Sequence, residues 1–314
     1  RLHAGTGGVI KDDAVAYRAD ISTNRFGSNV RGERTVLDRF TGSLLFKLSD
    51  QLKLTLELDK LRDKAEDYYY GTPLVNGKIV RSLRRVNYNN LSDNVYDSDT
   101  TWLRAQLEWQ ATPYLLVRNQ TYSYDSFRDW RDVDDFTYIA GTTPKVKRST
   151  WADLDHDHQL VGSRLDALLD GKIVGLDNRF LIGTDVNRTD FKTSRNGFPS
   201  GTEAPVDAFN PPEVPLSSGT SVFKSPGRDV TIEQWSVFAE DQLSLTPQLK
   251  LVGGLRHDSF KTKWIYYDQA GAPRESNQHT FNSWRAGLVV VDPGRCAPRV
   301  EPAHLQLLAR RGCV

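Results

Sequence analysis

Methionine is absent from the 314 residues, and cysteine nearly so: Cys296 and Cys313 both lie at the C-terminal end. Two cysteines make no disulfide framework, and a bridge between them requires an exported chain. A cysteine-free stretch from residue 1 to 295 fits an outer-membrane or periplasmic setting. Net charge is also missing. Lys and Arg number 41 against 40 Asp and Glu, so bulk electrostatics points to no nucleic-acid partner. No run of about 18 apolar residues occurs and mean hydropathy is −0.52, which excludes a transmembrane helix. A membrane β-barrel survives that exclusion, because alternating strands average to a polar composition. The chain opens at Arg1 without a signal-peptide pattern, as expected of a piece or a processed product.

What is present is a period of two. LKLTLELD (52–59) sets Leu52, Leu54, Leu56 and Leu58 against Lys53, Thr55, Glu57 and Asp59. GSLLFKLS (42–49) precedes it across an SDQ turn, and TWLRAQLEWQA (101–111) repeats the pattern, with Leu103 and Leu107 on the apolar side. QLVGSRLDALL (159–169) and NRFLIGTDVNRTDF (178–191) follow, then WSVFAEDQLSL (235–245) and LKLVGGLRHDSF (249–260). Tight turns are expected at SDQ, at Thr112-Pro113, at Asp170-Gly171 and at TPQ. Between these hairpins lie polar, aromatic stretches at 61–100, 125–157 and 189–231, expected as long loops. Strict alternation of short turns with long loops is foreign to compact soluble domains. It is the habit of outer-membrane barrels, whose tilted strands cross the bilayer in about 9 to 11 residues.

Several stretches then resemble TonB-dependent outer-membrane receptors of the siderophore type. They are YYGTPLVNG (69–77) with NYNNLSD (87–93), DHQLVGSRLD (157–166) with FLIGTDVNRTDF (180–191), WSVFAEDQLSLTPQLKLVGGLRHDSF (235–260) and NSWRAGLVV (282–290). The resemblance covers residues 5–290. It implies an all-β fold, an antiparallel transmembrane barrel whose complete form has 22 strands around a plug. This chain supplies about half of such a barrel, with neither the plug domain nor the TonB-coupling motif. Residues 1–291 are expected as the receptor barrel segment. Residues 292–314 break the strand alternation, gain arginine, alanine and proline, and are expected as an atypical tail, out of frame or disordered.

The function implied is uptake of ferric siderophores across the Gram-negative outer membrane, energised by the TonB complex through a plug region absent here. The segment is expected to be inactive alone. Two other readings stay open: a passive porin-like channel, and a truncated receptor remnant without function. No G-x-S-x-G, Walker loop, paired-carboxylate signature or Cys–His spacing appears, so the chain is not read as an enzyme. No cofactor is expected to bind directly, the ferric siderophore being cargo.

Ligand contact is assigned to loop tyrosines, arginines and tryptophan: Tyr68, Tyr69, Tyr70, Arg84, Arg85 and Tyr88 in one stretch, Arg128, Trp130 and Arg131 in the next. Arginine offers a fixed forked charge and aromatics a rigid face with a polar edge. Lipid is expected against Leu52, Leu54, Leu56, Leu58, Leu103, Leu107 and Val237. The lumen is expected to take Lys53, Glu57, Arg104, Glu108, Arg164, Asp166, Glu240 and Arg256. Trp102, Trp109, Tyr114 and Trp235 read as interfacial girdles. His156 and His158 share a strand face but lack a local third ligand, so no metal site is assigned. Asp132, Asp134 and Asp135 read as a solvated acidic loop.

Overall fold

A computed structural model describes residues 1–11, 14–66, 71–89, 92–195, 204–215 and 225–290. Every regular element in them is a β-strand, and all pairing is antiparallel. β1 (Leu2–Lys11), β2 (Val15–Gly27), β3 (Arg34–Lys47) and β4 (Leu52–Glu66) open the sheet. A two-residue-arm hairpin, β5 (Leu74–Val75) and β6 (Lys78–Ile79), stands apart from it. β7 (Val95–Thr112), β8 (Leu115–Ile139), β9 (Lys145–Ile173) and β10 (Leu176–Arg195) follow. The short β11 (Val206–Asp207) pairs with the start of β9, and β12 (Ser225–Ser244), β13 (Leu249–Tyr266) and β14 (Arg274–Val290) finish the order. Neighbours in the sheet are neighbours in sequence, β1 to β4, then β7 to β10, then β12 to β14. The result is an open sheet of eleven long strands, as a partial barrel requires.

The strands are longer than the hydrophobic pattern predicts. β8 has 25 residues and β9 has 29, paired without a gap in direction from Leu115↔Leu169 to Ile139↔Lys145. Residues 125–157, expected as a loop, are therefore the upper part of one tall hairpin. The reason lies in the side chains: in YDSFRDWRD each face mixes rings with charged or polar groups, so the strand continues while its hydrophobic contrast vanishes. The same effect hides the ends of β4, β7, β10 and β12, which narrow the other two expected loops.

Turn positions are corrected once. Asp170 and Gly171 stay inside β9, paired with Arg179 and Asn178, and the chain reverses at Val174-Gly175. Both turn residues have positive φ, 51° and 82°. That geometry matches the twist of a two-residue hairpin and normally selects Asn-Gly. Asn76-Gly77, between β5 and β6, adopts it with the favoured pair, at 51° and 72°.

Among the described residues, buried apolar side chains collect at one end of the sheet. Leu83, Tyr88, Val146, Val206 and Ala208 form a small core where the connections meet the β8–β9 tip. The Tyr88 hydroxyl donates to the Ala208 carbonyl at 2.6 Å, and Val133 N donates to Asn89 Oδ1 at 2.9 Å. Arg31 N donates to the Arg85 carbonyl at 3.0 Å and Ser92 N to that of Val214 at 3.2 Å, which lashes the connections together. Asp207 accepts from the backbone N–H of Phe209 and of Asn210, both at 2.8 Å, and these donors hold its carboxyl below the ordinary range. The long aliphatic residues of the strands, by contrast, are exposed: Leu103 51%, Leu165 47%, Ile182 49%, Leu255 68%. A contiguous apolar face of that extent, with no protein layer over it, is the mark of a sheet that meets something other than water.

Candidate functional site

Register sorts every strand residue onto one of two faces. Leu52, Leu54, Leu56 and Leu58 lie opposite Trp109, Leu107, Ala105 and Leu103 in β7. The same face continues through Val117, Ala167, Ile182, Ala239 and Leu255 to Trp284. Two hollows of about 580 and 740 Å³ open on this apolar face, above small residues such as Gly42, Ala105, Ala167 and Ala239. Their lining is almost wholly hydrocarbon, so they offer little to orient a polar ligand.

The opposite face is charged, and its charges are paired across and along the strands. Glu57 meets Arg104 at 3.0 Å, and Arg39 Nε donates to Asp59 at 2.9 Å. Asp166, nearly buried, accepts from Arg118 Nε at 2.8 Å and from Arg164 Nε at 3.3 Å. Arg256 donates to Asp258 and Ser236, both at 2.9 Å, and Arg285 pairs with Glu240. Lys53 and Glu108 occupy one row of this face. Two glycines make room for rings laid flat on it. A Cβ at Gly162 would sit 2.5 Å from the Tyr122 ring, whose hydroxyl reaches across β9 to donate to Asp185 of β10 at 3.2 Å. A Cβ at Gly183 would strike the Phe238 ring, which lies beneath the guanidinium groups of Arg164 and Arg256, 4.6 and 5.7 Å from its centroid.

Toward the loop end this polar face changes character. Trp102 packs on Tyr124 at 4.8 Å between centroids, and Tyr124 meets His158 edge-on at 5.0 Å. Phe191 touches both His158 and His156, at 5.8 and 5.2 Å. Arg128 Nη2 lies 2.5 Å from His156 Nδ1, and its guanidinium sits over the Trp130 ring at 5.2 Å, with Tyr96 against Trp130 at 6.4 Å. A guanidinium only donates, so Nδ1 accepts and the imidazole proton resides on Nε2. Four adjacent strands thus build a continuous aromatic and basic surface.

The residues predicted for ligand contact fall in different places. Arg128 and Trp130 are members of this surface. Arg131 is on the other face of β8, with Asp153 at 3.3 Å and Asp93 at 3.6 Å. Tyr88 is fully buried in the loop core, and Arg84 and Arg85 are exposed on the connection that leads to it. Tyr68, Tyr69 and Tyr70 lie outside the described residues, as does the 292–314 tail. Trp102, expected in a girdle with Trp109 and Trp235, is on the opposite face from them, in one row with Asp59 and Tyr124. Tyr96, Tyr124 and Phe191 were not foreseen, although counting by twos from Trp102 reaches Tyr96 and from Arg128 reaches Tyr124. His156 and His158 were read only as metal candidates; no group of three His, Cys, Asp or Glu suited to a metal occurs among the described residues.

A family model described as TonB dependent receptor-like, beta-barrel matches residues 17–296. The chain belongs to this receptor family. Its architecture is that of transport receptors rather than enzymes. The siderophore receptor PiuA from Acinetobacter baumannii superposes with a TM-score of 0.78 at 15% identity, covering 92% of this chain and 44% of that one. BauA, the ferric preacinetobactin receptor of the same organism, gives 0.74 at 11%, covering 89% and 41%. The ferric-catecholate import receptor Fiu of E. coli K12, in its closed form, gives 0.71 at 15%, covering 90% and 45%. At these identities the likeness is one of fold, and the chain spans less than half the length of each receptor. No curated protein matches the chain by sequence.

Proposed function

We propose that this chain is one wall of an outer-membrane receptor that takes up ferric siderophores, energised through TonB. The reading places lipid against the face of Leu52, Leu54, Leu56, Leu58, Leu103 and Leu107, and the lumen against the charge-paired face. Ligand then meets the aromatic and basic surface of β7–β10, with Arg128 and Trp130 as direct contacts. The observation that carries it is the union on one face of paired charge below and rings with arginine above, backed by an uncovered apolar face. Paired charge suits a wall that another polar body slides against, and ring-plus-guanidinium surfaces suit a chelate that is polar and partly apolar.

A passive channel made of these strands alone fits less well. Eleven antiparallel strands set β1 and β14 running the same way, so closing one onto the other makes a parallel seam. Bacterial single-chain barrels are antiparallel with even strand numbers. Within lipid the free edges of β1 and β14 need partners, so the chain alone is expected not to transport. The test is iron uptake from labelled chelates by cells carrying the complete gene, with and without working TonB. The receptor reading expects uptake lost without TonB. Uptake that persists without TonB, together with passage of small sugars, would replace it with the passive channel.

A further inference from the structure

Acidic residues divide between the faces in a way that the receptor reading does not require. On the inner face of β7 through β13, at the loop end beyond the Asn187–Gln234 pair, no described and exposed position is Asp or Glu; Asp132, two residues past Trp130 on the same face of β8, is fully buried. That zone holds Arg128, Arg195 and Arg228 with His156 and His158, among the rings already described. The outer face of the same stretch takes the acids instead: Asp97 and Asp99 in β7, Asp125 and Asp129 in β8, and Asp153, Asp155 and Asp157 in β9. Below the zone carboxylates return to the inner face at Asp166, Asp185 and Asp258, each beside an arginine or an amide donor.

We infer that the chelate received on this face is anionic and carries aryl rings, an iron complex of catecholate or phenolate donors rather than an uncharged hydroxamate complex. The inference rests on the proposed receptor function and narrows its cargo. A surface with exposed cationic side chains and no exposed carboxylate attracts negative charge, and its low-dielectric ring walls strengthen that attraction. An uncharged chelate gains nothing from this separation of charge. The Nε2–H of His156 and the free edge of the Arg128 guanidinium are donors suited to phenolate oxygens. Trp130, Tyr124 and Phe191 give ring faces and edges on which an aryl group stacks.

Binding of a ferric tris-catecholate and of a ferric trihydroxamate of similar size tests this, read by tryptophan fluorescence of the full chain in detergent micelles. The catecholate is expected to bind about tenfold tighter or more, with affinity falling as salt rises. Arg128→Gln is expected to remove about tenfold of the catecholate affinity and to leave the hydroxamate unmoved. The salt series on the unaltered chain serves where that variant fails to fold. Equal or tighter hydroxamate binding, or catecholate binding indifferent to salt, overturns the cargo class and leaves the receptor reading standing. Binding of neither chelate overturns the assignment of this face as the ligand surface, and the cargo class with it.

Discussion

The two halves of β9 obey opposite rules. From Leu160 to Ile173 the acids Asp166 and Asp170 share a face with Arg164, while Val161, Leu165 and Leu169 occupy the other. From Asp153 to His158 the order inverts: Asp153, Asp155 and Asp157 continue the line of Val161 and Leu165, and His156 and His158 continue that of Arg164. Neighbouring strands invert at the same level. Lys60 pairs with Asp99 and Arg62 with Asp97 on the face that lower down carries the leucine stripe. One backbone, paired in one unbroken register, thus crosses a boundary between two environments. The apolar face is apolar only over the span that lipid is proposed to cover. Above it the outer surface is charged and wet, and the inner surface is free to specialise.

The largest test of that boundary is a charge placed on either side of it. Leu165→Arg is expected to cost about 2–4 kcal/mol in a lipid-embedded barrel, the range for arginine near a bilayer midplane. Asp157→Arg, eight residues along the same face, is expected to change stability by no more than about 0.5 kcal/mol, as for a surface substitution. Urea unfolding from lipid vesicles measures both. Equal costs would abolish the boundary.

The lower inner face is expected to depend on its carboxylates as the upper one does not. Asp166→Asn removes the carboxylate charge and turns one of its two acceptor oxygens, shared by Arg118 and Arg164, into an amide donor, and about 1.5–3 kcal/mol should be lost, the scale of hydrogen bonds to charged groups. A loss below about 0.5 kcal/mol in the same unfolding assay would mean that water replaces the carboxylate at no cost. Gly183→Ala tests the flat-lying ring. The added methyl would also come within 2.8 Å of the Leu165 carbonyl, which cannot rotate away. Overpacking of this kind costs about 1–3 kcal/mol, and Phe238→Leu in the same chain should recover only part of it, since the backbone clash remains.

Much of the lower half was legible from residues alone, because one apolar and one charged face give a hydrophobic contrast that a period of two displays. Lys53, Glu57, Arg104, Glu108, Arg164, Asp166, Glu240 and Arg256 share the charged face, as alternation from the leucine stripe requires. The upper half was misread as loop for want of that contrast. Tyr124, Ser126, Arg128 and Trp130 alternate with Asp125, Phe127, Asp129 and Arg131, so neither face is apolar throughout. Trp102 was misplaced because its type suits a girdle while its parity does not. The Tyr88 hydroxyl bond to Ala208 joins residues too distant in sequence for local pattern to reveal.

Turn chemistry gives the finest comparison of the two ends. Asn76-Gly77 at the loop end and Val174-Gly175 at the tight-turn end share one backbone geometry, yet only the first has a residue suited to positive φ. Val174 is 97% exposed, so no packing offsets the crowding of a β-branched side chain there. Asparagine tolerates the left-handed region and valine does not, a difference of about 1 kcal/mol. Val174→Asn should therefore raise the unfolding midpoint of the chain, and Asn76→Val should lower it by a similar amount. A Val174→Asn variant no more stable than the parent would place the reversal elsewhere, and Asp170-Gly171 would again be the candidate turn.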